Sequence, residues 1–155
     1  YHGFIFIGLI VKGNDAKVIE YNVRMGDPET EVVIPRIKSD LLHLFKGIRD
    51  GTFSEKDLHI NEDIATTVML VSGGYPEKYE KDKEISGIKS VENSVVFHAG
   101  TKIENGVLKT NGGRVIAITS LGRNMQESLS KSYENARKIH FEKKYYRKDI
   151  GSDLL

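Results

Sequence analysis

Three polar residues at alternate positions, Glu20, Asn22 and Arg24, are those best suited to chemistry in this sequence. They lie in the run AKVIEYNVR, residues 16–24, whose alternating pattern is typical of a β-strand, so they are predicted to share one of its faces. At the usual rise of a strand, the Cα atoms of Glu20 and Asn22 are about 6.6–6.8 Å apart. Two oxygen donors at that spacing suit one Mg²⁺ ion, or two ions bridged by a phosphate. The planar guanidinium of Arg24 suits phosphate or carboxylate.

The residues that follow, Asp27, Pro28 and Glu29, predict the start of a helix. Asp27 can cap it, Pro28 fits its first position, and Glu29 favours the positive end of the helix dipole. A helix N-terminus favours anions. The segment 20–29 therefore predicts a site for a metal ion and phosphate.

A solvated strand face is the competing interpretation of Glu20, Asn22 and Arg24, and for these three residues alone it is the commoner one. The preceding run GFIFIGLIVK, residues 3–12, is apolar at both alternating positions, which predicts a strand covered on both faces. Polar side chains beneath such cover are costly unless they are paired. A bound ion in a cleft would pair them, and this favours the site.

The elements that position these residues are predicted to be a hairpin followed by helix. Residues 3–24 form the hairpin, with its turn at 13–15. Pro35 interrupts the helix that begins at Asp27 or opens a second one. A second helix ending at Asp50–Gly51 is predicted from apolar residues at helical spacing, which are Ile37, Leu41, Leu44, Phe45 and Ile48.

The pattern changes near residue 63, and a small, mostly antiparallel β module is predicted from there to the C-terminal helix. Short strands punctuated by Gly or Asn lie in residues 64–76, 94–103, 106–113 and 114–122. The helix begins near Asn124, with Glu127 completing a capping box. Its predicted buried face is Met125, Leu129, Tyr133 and Ala136. The fold class is therefore α+β, with a first domain at 1–62 and a β-rich, barrel-like or sandwich-like second domain at 63–155.

Composition narrows the function classes. Of the 155 residues, 39% are hydrophobic and 29% charged, a globular profile. The formal net charge is +1, which argues against nucleic acid as a partner. The longest apolar run, residues 4–11, is too short to cross a membrane. There are no cysteines, so thiolate metal sites are excluded and a cytoplasmic location fits.

Several other motifs each have a functional and a structural interpretation. TNGGR, residues 110–114, could cradle a phosphate with help from Arg114, but an Asn-Gly hairpin turn is favoured. SGGYP, residues 72–76, is predicted to be a turn. His98 is predicted to make a structural hydrogen bond, and His43 and His59 to lie on the surface. The basic and aromatic run 143–148 could stack nucleobases, but a solvated, partly docked C-terminal segment is favoured.

Long motifs in this order resemble the C-terminal part of glycinamide ribonucleotide synthetases, also called phosphoribosylamine–glycine ligases. KVIEYNVRMGDPETEVVIPRIKSDL, from Lys17, is similar to the end of their ATP-grasp domain. VSGGYPEKY, FHAGT, TNGGRVIAITSLG and KIHFEKKYYRKDIG are similar to their small C-terminal domain. The resemblance covers nearly the whole chain.

The resemblance implies a ligase that joins glycine to 5-phosphoribosylamine with ATP, through a glycyl phosphate, in purine synthesis. Glu20 and Asn22 match the family's metal-binding pair and would hold Mg²⁺ or Mn²⁺ against the nucleotide phosphates. Arg24 would stabilise charge on the transferring phosphoryl group or the acyl phosphate. The segment Asp27–Glu29, which includes Pro28, would lie near the amine substrate.

The family's polypeptide is longer, so this chain is expected to be a piece of it. The chain begins at Tyr1 inside a predicted strand, and the N-terminal substrate domain and the ATP-grasp lysines and glycine-rich loop of the family are expected to lie outside these 155 residues. The piece alone is expected to be inactive and to need the N-terminal part as a partner. The alternative is a non-catalytic β-rich module used for binding or assembly, with 1–62 as its support.

Overall fold

The chain folds into two compact units, Tyr1–Asn61 (unit 1) and Glu62–Leu155 (unit 2). The computed structural model describes residues 1–152 and 154. The α+β class is confirmed. Across the described residues, no helix has the length and apolar character needed to cross a membrane. The strands and helices are β1 (Phe6–Lys12), β2 (Asp15–Asn22), α1 (Thr30–Val33), α2 (Leu41–Asp50), β3 (Ile64–Val71), β4 (Ser94–His98), β5 (Thr101–Glu104), β6 (Val107–Thr110), β7 (Arg114–Gly122) and α3 (Met125–Lys138).

Unit 1 begins with the predicted hairpin, in which β1 and β2 pair antiparallel. The register shifts once. Gly8 lies opposite Glu20 and Leu9 lies opposite Val18, so Ile19 is the extra residue of a β-bulge. Because residues directly opposite each other share a face, the hairpin has one mixed face, which carries Glu20 and Asn22, and one wholly apolar face. The apolar face consists of Ile7, Leu9, Val11, Ala16, Val18 and Tyr21.

The prediction that the first strand is covered on both faces is wrong for this chain. Leu9, Ile10 and Val11 are all more than half exposed, and Gly8 and Phe6 are the half-buried positions of β1. Alternation of residue types reports only that both faces are apolar, not that a covering element is present. Unit 1 supplies no such element over β1.

The predicted helix start at Asp27 is also wrong. Residues 27–29 form a turn with a cis Asp27–Pro28 peptide bond, and α1 begins only at Thr30. The carbonyl of Gly26 accepts hydrogen bonds from both the amide and the hydroxyl of Thr30, at 3.0 and 2.6 Å. That turn occupies the place where Asp27 would have capped a helix. Pro35 interrupts the helix as predicted, because it lies in the 3₁₀ turn Ile34–Arg36 that follows α1.

The second helix of unit 1 has well-defined ends. The Asp40 carboxylate accepts a hydrogen bond from the amide of His43, and Gly51 closes the helix in the left-handed conformation at φ +72°. The predicted end at Asp50–Gly51 is confirmed. Ile37 lies outside the helix, because it pairs with Ile60 in an isolated antiparallel bridge.

Unit 2 is built on a three-stranded antiparallel sheet in the order β3-β7-β4. Helix α3 packs on β3 and β7. Every residue of β7 from Val115 to Ser120 is buried, so this central strand is covered on both faces. The core includes Val68, Leu70, Ile85, Val115, Ile116, Ile118, Ala136, Ile139 and Phe141.

A separate two-stranded ribbon, β5-β6, completes the strands of unit 2. The run predicted as one strand at 94–103 divides into β4 and β5, which belong to different sheets. The hairpin turn predicted at TNGGR is also wrong, because the two strands that flank it do not pair with each other. Strand β6 pairs with β5, whereas β7 pairs with β3 and β4. A barrel-like or sandwich-like arrangement stays a prediction.

Helix α3 begins as predicted, with the Asn124 side chain accepting from the Glu127 amide at 2.8 Å. The predicted capping box is not formed, because the Glu127 carboxylate accepts from the Arg123 amide, at 3.2 Å, and not from that of Asn124. The buried face was only partly predicted. Leu129 and Ala136 are buried, but their buried neighbours are Ser128, Ser132 and Asn135, while Met125 and Tyr133 are half-buried. The small polar residues are buried because they meet hydroxyl partners on the sheet. Ser132 Oγ lies within hydrogen-bond distance of the Thr66 carbonyl oxygen and of Ser120 Oγ, at 3.1 and 2.9 Å.

Candidate functional site

Glu20 and Asn22 are the two predicted site residues that the fold brings side by side. Both lie on the mixed face of the hairpin, Glu20 opposite Gly8 and Asn22 opposite Phe6. Asn22 is half-buried and Glu20 is exposed. A carboxylate and an amide on neighbouring positions of one strand face can present two oxygen atoms to one cation.

Gly8 is a residue of this site that the sequence analysis missed. A Cβ atom at position 8 would lie 3.1 Å from Cγ of Glu20 and 3.6 Å from Cε1 of Phe6. The stem of Glu20 therefore lies across β1 at the one position that has no side chain. A glycine isolated inside an apolar strand is a signal of such close approach, and it was available in the sequence.

Arg24 does not share the strand face predicted for it. Strand β2 ends at Asn22, and residues 23 and 24 form a bend. The Arg24 guanidinium is exposed, and its Nη1 donates to the carbonyl of the next residue, Met25, at 3.3 Å. Arg24 thus follows Glu20 and Asn22 in sequence, but it lies beyond the end of β2 and the strand does not place it on their face.

The segment Asp27–Glu29 lies beyond Arg24 in a turn. Asp27 is exposed, whereas Pro28 and Glu29 are half-buried. The Glu29 side chain folds back over Gly26, since a Cβ there would lie 2.5 Å from its Oε2. The helix that follows is a single turn of four residues, so the expected anion-binding helix N-terminus is absent from this segment.

The donor set of the pair fits a hard cation that is held mainly by other groups. Within residues 1–152 and 154, no group of three or more His, Asp or Glu side chains is placed to hold a metal ion. Mg²⁺ is commonly bound by one or two protein oxygens, with phosphates and water completing the shell. Glu20 and Asn22 suit that mode of binding and do not form an all-protein cage.

Two buried polar atoms of unit 1 also lack partners. Oε2 of Glu31 and Nε of Arg36 have no hydrogen-bond partner among the described residues. Nη2 of the same arginine does donate to the Asn61 carbonyl, at 3.1 Å. Buried polar atoms are nearly always paired in complete structures.

The glycines of TNGGR serve close packing. The Ser72 amide and hydroxyl donate to the carbonyls of Gly113 and Gly112, at 2.8 and 2.9 Å. A Cβ at Gly113 would lie 2.1 Å from the Tyr75 ring. The phosphate-cradle interpretation of this motif stays untested, and the packing by itself explains why glycine is needed.

The remaining predictions for single motifs are confirmed. SGGYP forms a turn, with a hydrogen bond from the Tyr75 amide to the Ser72 carbonyl at 3.1 Å. His98 Nδ1 lies 3.1 Å from Thr101 Oγ1, and His43 and His59 are exposed. The C-terminal segment is docked, because the backbones of Tyr145 and Val71 exchange hydrogen bonds at 2.9 and 3.0 Å.

Ion pairs on unit 2 are local and balanced. Hydrogen bonds from Lys143 and Lys83 lower the pKa of Glu80 to about 2. Lys131 and Arg123 lower the pKa of Glu127 to about 2 in the same way. Burial lowers the pKa of Lys144, whose ammonium donates to the carbonyls of Ala136 and Ile139 at the end of α3. The carboxylates of Glu80 and Glu127 are thus each paired with two cations, and the Lys144 ammonium is held by helix carbonyls.

Comparison with known proteins gives a consistent result over the whole chain. The sequence model of "Phosphoribosylglycinamide synthetase, C domain" matches residues 65–153. Phosphoribosylamine–glycine ligase of Halalkalibacterium halodurans is 42% identical over 156 residues, which cover 100% of this chain and 36% of that protein. Bifunctional purine biosynthetic protein PUR2,5 of Pichia angusta is 45% identical, covering 96% of this chain and 19% of that protein.

A solved structure is similar in fold as well as in sequence. The crystal structure of phosphoribosylamine–glycine ligase from Thermotoga maritima matches with a TM-score of 0.83 and 37% identity. The match covers 94% of this chain and 36% of that one. The chain thus spans a little over a third of the single-function ligases that it matches.

Proposed function

Because the chain belongs to the family described as phosphoribosylglycinamide synthetase, C domain, we propose that it is the C-terminal part of a phosphoribosylamine–glycine ligase. The family predicted from the sequence motifs is thereby confirmed. The activity is proposed for the whole polypeptide. The single-function ligases that match this chain are roughly three times as long as it is. This piece alone is expected to be inactive.

The proposed reaction joins glycine to 5-phosphoribosylamine and converts ATP to ADP and phosphate. The γ-phosphoryl group of ATP is transferred to a carboxylate oxygen of glycine, which gives glycyl phosphate and ADP. The amine nitrogen then attacks the acyl carbon, the carbon–oxygen bond to phosphate breaks, and the amine loses a proton. The product is glycinamide ribonucleotide, an intermediate of purine synthesis, and we place the activity in the cytoplasm.

The two units take different parts of that enzyme in this proposal. Unit 1 corresponds to the predicted segment 1–62, the end of an ATP-grasp domain. Unit 2 corresponds to the predicted segment 63–155, the small C-terminal domain, and the family match over residues 65–153 supports this part. The N-terminal part of the same enzyme is the required partner.

Glu20 and Asn22 would hold Mg²⁺ or Mn²⁺ against the nucleotide phosphates. When bound, such an ion neutralises charge on the phosphoryl group being transferred. Arg24 would contribute positive charge next to the acyl phosphate, and the segment Asp27–Glu29 would line the place of the amine substrate. The guanidinium of Arg24 is exposed, and in this proposal it turns from the Met25 carbonyl toward an anion when the rest of the site is present.

The observation that carries the proposal is the position of Glu20 and Asn22 on one face of a hairpin whose other face is bare and apolar. Exposure of Glu20 and Arg24 would, by itself, favour the alternative of a non-catalytic binding or assembly module. The exposure is not selective, however, because Leu9 and Val18 on the apolar face are about half exposed as well. Uncovered apolar residues in the hairpin, and unpartnered buried atoms at Glu31 and Arg36 beyond it, fit a unit that belongs inside a larger domain.

Substitution of the pair in the full-length enzyme tests this function. Glu20→Gln and Asn22→Ala are expected to lower kcat/KM for ATP-dependent ligation about 100-fold, with part of the loss recovered at high Mg²⁺. That loss corresponds to about 3 kcal/mol of transition-state stabilisation, a normal contribution for a metal ligand. Initial rates of ADP release, measured across a Mg²⁺ titration, would show both effects.

Glu55→Gln is a matched control, because Glu55 is an exposed glutamate of the same unit outside the hairpin. It should leave the rates unchanged. Normal turnover by Glu20→Gln and Asn22→Ala would remove the metal assignment and leave the binding-module alternative.

A further inference from the structure

Two features of the hairpin that have no chemistry of their own lie next to Glu20. One is Gly8, directly opposite on β1, and the other is the bulge residue Ile19, directly before Glu20 on β2. We propose that Gly8 and Ile19 are positioning residues, which aim the Glu20 carboxylate toward a divalent cation. This inference rests on the proposed function, because it takes Glu20 as a metal ligand.

The contact at Gly8 is specific to the stem of Glu20. A methyl group at position 8 would lie 3.1 Å from Glu20 Cγ, which is closer than nearly all real contacts of this kind. The aromatic ring of Phe6 bounds the same notch on the other side, 3.6 Å from the methyl position. A side chain at position 8 would therefore require the glutamate stem to move by a few tenths of an ångström.

Backbone conformation does not explain this glycine. Gly8 is not among the residues of positive φ, whereas Gly13 in the hairpin turn has φ +63°. A glycine inside a strand loses more chain entropy than alanine and has no side chain to pack. The absent side chain is thus the property that matters at position 8.

The bulge acts on the same residue from the other strand. Bulges increase local twist and redirect the side chains beside them, and they are frequent next to active sites. Ile19 is 65% exposed, so its side chain contributes little burial to this unit. Without Ile19, Val18 and Glu20 would still face Leu9 and Gly8 in an unbroken ladder. We therefore expect the deletion to act on Glu20 through the local twist.

Gly8 and Ile19 have two possible roles, to position Glu20 or only to stabilise the hairpin. These two explanations predict different outcomes in the full-length enzyme. Gly8→Ala and Gly8→Val add atoms where Glu20 Cγ lies, and deletion of Ile19 removes the bulge. Each change is expected to weaken Mn²⁺ binding about tenfold in the presence of ADP, a typical loss when the support of a metal ligand is altered. Mn²⁺ binding is measured by electron paramagnetic resonance titration, which needs no turnover.

The thermal midpoint of each variant separates the two explanations. For Gly8→Ala and Gly8→Val it should be equal to or above that of the parent enzyme, because both residues suit a strand better than glycine. The KM for glycine should stay unchanged. Gly13→Asn is the control, since position 13 has no heavy atom within 4 Å of an added Cβ and Asn tolerates positive φ.

Unchanged Mn²⁺ affinity in all three variants, with Glu20→Gln impaired, would overturn the inference alone. A fall in thermal midpoint with unchanged metal binding would also overturn it, since that outcome marks a structural role. If Glu20→Gln itself binds Mn²⁺ and turns over normally, the proposed function fails and the inference fails with it. Should the Gly8 variants not fold, the deletion of Ile19 decides the matter without any added atom.

Discussion

Unit 2 encloses its apolar residues, whereas unit 1 displays them. In unit 2 the sheet and α3 enclose side chains such as Leu70, Ile116 and Ile139 completely. Among the described residues of unit 1, Leu44 is the only buried apolar side chain. Most of the large apolar residues that are exposed within residues 1–152 and 154 belong to unit 1, including the apolar face of its hairpin.

The difference shows that one chain can contain a unit with a closed apolar core and a unit whose apolar residues are largely exposed. Local order does not distinguish them, because both units have capped helices and paired strands. Burial distinguishes them, since hydrophobic stabilisation scales with the apolar area removed from water. A hairpin by itself is marginal in water, and it needs a further layer to become stable.

The same truncation in both units should give the largest contrast. Leu70→Ala in unit 2 is expected to lower the free energy of unfolding by about 2–5 kcal/mol, because it opens a cavity in a closed core. Leu9→Ala in unit 1 should change it by less than about 1 kcal/mol, because that side chain is 53% exposed. Urea unfolding followed by circular dichroism measures both. Equal losses would mean that the hairpin is covered in solution.

The buried hydroxyl cluster between α3 and the sheet should give an intermediate effect. Ser132→Ala removes Oγ contacts with Thr66 and Ser120, and it leaves buried polar atoms short of partners. The expected cost is about 1–3 kcal/mol of unfolding free energy. Ser130→Ala on the exposed side of the same helix is the control and should be neutral or slightly stabilising. A neutral Ser132→Ala would show that the cluster adds no stability to unit 2.

Titration of Glu127 should give the smallest effect on stability. Hydrogen bonds from Lys131 and Arg123 lower its pKa from 4.5 to about 2. A carboxylate whose folded-state pKa is lowered stabilises the fold above the unfolded value, and this stabilisation is lost as the pH falls from about 4.5 to about 2. Carbon-13 NMR of the side-chain carboxyl should show a midpoint near 2, which Lys131→Met moves upward. A midpoint near 4.5 in the parent protein would contradict the pairing.

The elements that local chemistry encodes were predictable from the sequence. Asn124 and Gly51 mark helix ends through caps that involve residues three or four positions away. The pairing of Glu20 and Asn22 on one strand face likewise follows from alternation alone.

The features that were missed depend on partners distant in the chain. Ser128 and Ser132 are buried because Thr66, more than 60 residues earlier, offers them a hydroxyl. Periodicity of apolar residues cannot report such a polar contact. The Ile19 bulge depends on how two strands meet, and the uncovered state of β1 depends on elements that β1 itself cannot specify.

The last segment of unit 2 covers two sets of backbone groups. The Lys144 ammonium binds carbonyls at the end of α3, and the backbone of Tyr145 pairs with that of Val71 at the end of β3. A version of the chain that stopped at the end of α3 would leave helix carbonyls open and would uncover the end of β3. Bare backbone at a sheet edge is a template for pairing with another molecule. Shortened forms of this protein would therefore tend to exchange segments between copies or to precipitate, even though every residue of the central sheet was retained.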